Sequence, residues 1–161
     1  MVHHKLDMGD ELEEPFTLIA VHCSEEDYKM AYLLNQNLHT RFKRRRQDID
    51  FPAKGKAVTF PIFDFLDELS YSQYHLVANK CSSSEQTVPN LGSLFPETDS
   101  EKNHFLLPEL KKVDYFIKVY SDFELEPLQT FVSKINAIAQ VVSAYVVEQT
   151  AIKSKNNLIF D

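Results

Sequence analysis

In Val113-Asp114-Tyr115-Phe116-Ile117-Lys118-Val119-Tyr120, β-branched and aromatic residues dominate. Successive residues of a strand point to opposite faces, so a strand here puts Val113, Tyr115, Ile117 and Val119 on one side and turns Asp114 from the core. Downstream, Pro127 stands in what reads as the first turn of a helix, where proline is tolerated. Leu128, Phe131, Val132, Ile135, Ile138 and Ala139 then form an apolar stripe at helical spacing. The stripe runs almost directly into Val141–Val147, a second β-rich segment, so this last strand returns beside the helix it follows.

Upstream, Phe16–Cys23 reads as a buried strand, and Ser24 is expected to cap a helix whose first turn carries Glu25, Glu26 and Asp27. Tyr28, Ala31, Leu34, Leu38 and Phe42 give that helix one apolar face. Two strands around Val58–Leu66 and Tyr74–Lys80, joined near Asp67–Ser72, suggest a hairpin. This order predicts an α+β fold with two helices on one face of a mostly antiparallel sheet, most simply a ferredoxin-like βαββαβ sandwich. A strand at Phe105–Leu107 is an addition to that six-element plan. Residues 1–15 are polar and acidic and read as a mobile leader, with a single domain over 16–150. Residues 82–104, rich in Ser, Pro and charge, read as a long mobile loop, and 151–161 as a tail.

Composition narrows the functions available. With 161 residues and a 43% apolar share, the chain suits one folded domain. It has no apolar run near the ~20 residues a membrane helix needs, so no membrane association and a cytoplasmic location are expected. A net charge of −7 disfavours phosphate binding over the whole surface. Three Gly with no Gly-rich run argue against a phosphate-cradling loop. The six His are scattered, and Cys23 and Cys81 belong to no Cys-x-x-Cys pair, so no metal and no cofactor are expected.

The segment Leu107-Pro108-Glu109-Leu110-Lys111-Lys112-Val113-Asp114-Tyr115 resembles the signature of the bacterial IPExxxVDY family, with Leu in place of the first Ile. The resemblance extends to the chain length, the Glu26-Asp27-Tyr28 to Asn35 helix start, the variable loop before the motif and the Lys153–Phe160 ending. It implies no activity, cofactor or catalytic residue. Separately, Lys134–Ile138 followed by Val141–Val147 is similar to the final helix and strand of small ACT-like regulatory domains.

Four groups are candidate sites. Pro108, Glu109, Asp114 and Tyr115 suit a ligand or partner site, with Glu109 taking an amine or amide; the plainer reading makes Pro108 a stiff entry to the strand. Arg41, Lys43, Arg44, Arg45 and Arg46 suit phosphate or RNA contact, and also stand where the first helix is expected to end and cations complement its dipole. Cys23 ends a strand before a helix N-terminus, a setting for a reactive thiol, but His22 beside it points to the opposite face. Leu158, Ile159 and Phe160 are costly to leave in water at about 25 cal/mol per Å². They are expected to dock on the chain's own sheet or helices, or on a partner.

These residues favour a noncatalytic binding or adaptor domain, protein-binding or small-molecule regulatory, working as a homodimer through its sheet or tail or with a protein partner. The alternative is association with RNA or the ribosome through Arg41–Arg46. An enzyme using Cys23, or Glu109 and Asp114, is the third.

Overall fold

Strands that are apolar on both sides organise this chain. The structure, a computed structural model, describes residues 15–53, 56–83, 102–121 and 125–160. The expected leader, apart from Pro15, and the greater part of the expected loop, 84–101, lie outside the described residues. Along the chain come β1 (Thr17–Cys23), α1 (Asp27–Leu38), β2 (Lys43–Arg44), β3 (Ile49–Ala53), β4 (Lys56–Phe60), β5 (Ile62–Asp67) and β6 (Ser72–Ala78). They are followed by β7 (Lys80–Ser83), β8 (Lys102–Phe105), β9 (Tyr115–Tyr120), α2 (Leu125–Asn136) and β10 (Val141–Val146). Six strands form one sheet in the order β10-β1-β9-β6-β5-β2, every neighbouring pair antiparallel. Two further pairs, β3–β4 and β7–β8, stand apart. The fold is therefore α+β, with a mostly antiparallel sheet and two helices among the described residues.

One face of the sheet is closed by the helices. Met30, Ala31, Leu34 and Leu38 of α1 and Ile135 of α2 pack with Ile19, Val21, Leu76, Tyr115, Ile117 and Val119. The other face is closed by the β3–β4 pair and by short irregular segments. Leu18, Ala20, Ile62, Val77 and Phe116 lie under Val58 and Phe60 of β4, Leu106 and Leu107, Val113, and the C-terminal Val147, Ile152, Leu158 and Phe160. Leu18 to Val21 and Phe116 to Val119 are buried without a break, the pattern of strands covered on both faces.

The structure corrects several expectations. The segment Val58–Leu66 is two strands in different sheets, divided at Pro61, which has no N–H to give a ladder. Val113 precedes β9 and packs on the tail side, while Tyr115, Ile117 and Val119 face the helices. The N-cap of α1 is Glu26 and not Ser24, without a side-chain cap bond, and Tyr28 is 63% exposed. The helix stops at Leu38, where His39 takes the left-handed conformation with φ 57°. Phe42 is buried all the same, because the Asn35 side chain accepts its amide at 2.8 Å and donates to its carbonyl at 3.1 Å. Arg41–Arg46 thus lie beyond the helix end, on and around β2, and serve no dipole there. The strand expected at Phe105–Leu107 is β8, which ends at Phe105, so that Leu106 and Leu107 turn into the tail-side core.

Candidate functional site

Asn79 organises the segment that leads into β9. Its amide donates to the carbonyls of Leu110 and Val113, each at 2.9 Å, and its side-chain oxygen accepts from the Leu107 amide at 2.9 Å. Its backbone bonds Asp114 and Leu106 as well. The residue is fully buried with its side-chain polar atoms engaged, as burial of an amide demands. Around it the motif folds into a 3-10 turn, Pro108–Leu110.

Each polar residue of that motif holds another part of the chain. Glu109 Oε1 accepts the amides of Lys153 and Ser154, both at 2.8 Å, and Oε2 accepts the Ser154 hydroxyl at 3.0 Å. Burial raises its carboxyl pKa, but these hydrogen bonds outweigh it and leave the group below the ordinary carboxylate range. Asp114 Oδ2 accepts the Cys23 amide at 2.8 Å. The Tyr115 hydroxyl donates to the Glu25 carbonyl, and burial, followed by the charge of Asp27, drives its pKa upward. Glu109 thus grips the tail, while Asp114 and Tyr115 grip the junction between β1 and α1. Pro108 is exposed.

The basic cluster is divided. Arg41, Lys43, Arg44 and Arg46 are exposed, and Arg44 pairs with Asp48 at 3.1 Å. Arg45 turns inward, where Nε and Nη2 grip the Asp64 carboxylate at 2.7 and 3.0 Å and Nη1 donates to the Phe160 carbonyl at 2.5 Å. Asp64 also accepts from His75 Nδ1 at 2.6 Å. Cross-strand register extends this group into a row over the sheet: Leu18 opposes Lys118, Lys118 opposes His75, His75 opposes Asp64 and Asp64 opposes Lys43. Lys118 is 4% exposed, and its ammonium donates to the Leu158 carbonyl at 2.5 Å. It also lies 4.7, 4.5 and 5.3 Å from the ring centroids of Phe16, Tyr120 and Phe160, within cation–π range.

Burial raises the Asp64 pKa, but the hydrogen bonds from Arg45 and His75 prevail and take it below its ordinary value. Burial lowers the His75 pKa, against the opposing pull of Asp64. At neutral pH the contact is a neutral imidazole donating to a carboxylate, not an ion pair.

The tail residues Leu158 and Phe160 are buried on the chain's own sheet, and Ile159 points outward. Cys23 is buried in the helix-side core, and burial raises its thiol pKa, opposite to what a nucleophile requires. His22 engages Tyr145 instead, at 3.0 Å, with the rings stacked 5.6 Å apart. Among the described residues no group of three or more His, Cys, Asp and Glu is placed to hold a metal ion, and no helix is long and apolar enough to cross a membrane.

Sequence reasoning passed over Asn79, Asp64, His75 and Lys118. Lys118 alone carried a signal: it sits between Phe116 and Tyr120 on one side of a strand that is apolar on the other. No protein-family model matches this chain, and no curated protein matches it in sequence.

Proposed function

We propose that this chain is a noncatalytic protein-binding domain of the IPExxxVDY type, built on an elaborated ferredoxin-like plan. The inner strands β10-β1-β9-β6 support that plan, since they follow the neighbour order and antiparallel sense of its fourth, first, third and second strands, with β5 and β2 added outside. The observation that carries the functional reading is a contrast. Glu109, Asp114 and Tyr115 are engaged in holding the domain together, while large apolar side chains stand in solvent at the tip of the β5–β6 hairpin. Leu66, Leu69 and Tyr71 are 60%, 94% and 77% exposed. Hydrogen bonds cross the tip: Asp67 accepts the Leu69 amide at 3.0 Å and the Ser70 hydroxyl at 2.7 Å. Exposed apolar side chains grouped on a hydrogen-bonded turn are the features of a docking element.

Pairing through the sheet is a weaker route. Ala144, whose backbone points outward from β10, is bonded by the Asn136 side chain at 2.8 Å through both its amide and its carbonyl. The opposite edge is a two-residue strand of Lys43 and Arg44, a short charged edge of the kind that discourages pairing. The RNA reading loses Arg45 to Asp64 and has Arg44 paired with Asp48. A photoreactive phenylalanine analogue at position 69 tests the proposal in cells. A discrete adduct that disappears with Tyr71→Ser supports it, an adduct of twice the chain mass identifies a second copy, and no adduct refutes it.

A further inference from the structure

The tail lies on the sheet in an unusual way. Its backbone bonds are local, Ala151 to Glu148, Ile152 to Gln149 and Asn157 to Ser154, and wind it into two 3-10 turns, Gln149–Ala151 and Lys155–Leu158, so it adds no strand to the sheet it covers. Side chains of the body do the holding. Lys118 and Arg45 reach the carbonyls of Leu158 and Phe160, two residues apart, and Asn157 donates to the Leu106 carbonyl at 2.8 Å. Leu158 and Phe160 enter the sheet while Ile159, between them, faces solvent. Side chains inserted into the body at every second position, with backbone carbonyls held by fixed donors, are elements by which proteins read short peptides.

Neither cation is there by default. Burying a lysine costs several kcal/mol of hydration unless its ammonium is well partnered. The partners of Lys118 include the Leu158 carbonyl and three aromatic rings, and Arg45 is fixed by both oxygens of Asp64, so it presents Nη1 in one direction. Arg45, its Asp64 anchor, Lys118, Phe16 and Tyr120 all belong to the body and not to the tail.

We infer that the groove under residues 158–160 is a peptide site that the chain's own tail occupies in cis. Its partner class is a short segment that leaves a 3-10 turn with an aliphatic residue and carries, two positions on, an aromatic one, supplied by another protein and displacing the tail. The inference deepens the protein-binding reading and rests on it. Its failure is separable, because every variant used below keeps Leu69 and Tyr71.

The probe is a labelled synthetic peptide of residues 155–161, Lys-Asn-Asn-Leu-Ile-Phe-Asp, followed by fluorescence anisotropy. In the full chain, Leu158→Ala with Phe160→Ala empties the groove. This variant is expected to bind the peptide at least tenfold more tightly than the unaltered chain. A peptide with Ser at the Leu and Phe positions is expected not to bind. A folded double variant that binds no better than the unaltered chain overturns the inference. Should the double variant fail to fold, thiol labelling of Leu158→Cys with Cys81→Ser decides. Buried Cys23 is the internal reference for global unfolding. Labelling at position 158 that is a hundredfold faster shows a tail that opens alone and supports the inference, whereas labelling at the rate of Cys23 makes the tail core and overturns it.

Discussion

The two faces of the sheet are closed by different chemistry. On the helix side, α1 and α2 bring apolar stripes, and Phe42, Phe65, Tyr74 and Phe131 pack ring against ring with centroids 5.1 to 6.4 Å apart. On the tail side no helix longer than a 3-10 turn is present among the described residues, and polar contacts hold the cover: Asn79 to the motif turn, Glu109 to Ser154, Lys118 and Arg45 to the tail. A regular helix satisfies its own backbone and needs only side-chain burial to dock. An irregular segment carries backbone groups that the body must satisfy one by one. The tail side therefore depends on a few hydrogen-bonding residues, and this dependence can be broken experimentally.

The largest effect is expected from Asn79→Ala. It removes the partner of two carbonyls and an amide, and urea unfolding should show a loss of roughly 3–5 kcal/mol. A loss below 1 kcal/mol would mean that apolar contact alone holds the motif turn. Next, Ile117→Ala on the helix side should cost about 4 kcal/mol and Leu158→Ala on the tail side about 2, because the tail has freedom to close over the gap. Equal losses would erase the distinction between the faces.

Acid should loosen the tail side first. The depressed pKa of His75 means its contribution is complete above the unfolded value of 6.5 and is lost as pH falls from there through the folded value. Asp64 and Glu109, also depressed, contribute above their ordinary values of 3.8 and 4.5 and lose that contribution at still lower pH. Thermal melts of wild type and His75→Phe between pH 7.5 and 5 check this, the variant giving the flatter profile. The smallest change is expected from Lys118→Met, a loss of about 1 kcal/mol in urea unfolding, since the Leu158 carbonyl loses its donor while the desolvation cost of a buried cation is removed.

The helix side was legible in the sequence because period and burial coincide there: Leu128, Phe131, Val132 and Ile135 of α2 mark their face without help from elsewhere. The strands β1, β9 and β10 were legible for the same reason. The tail side was not. Its residues come from separate short segments, and nothing local relates Asn79 to Leu107 or Arg45 to Phe160, 115 positions away. The basic run also misled, since five adjacent cations look alike in sequence and only register with β5 separates Arg45 from its neighbours. The motif residues were located, but their partners, the tail and the β1–α1 junction, required the fold.

Strand β1 has consequences in time as well as space. Its two neighbours in the sheet are β9 and β10, so it is paired through Val119 and Val146 and not through the strands that follow it directly. During synthesis the apolar run Leu18–Val21 emerges roughly a hundred residues before either neighbour exists. At about 5–20 residues per second, it waits several seconds for a partner. A fold wired this way closes late and slowly, in the manner of topologies dominated by distant pairings. In the living cell the nascent chain therefore carries this apolar run without its native neighbours until residues 115–146 have been made.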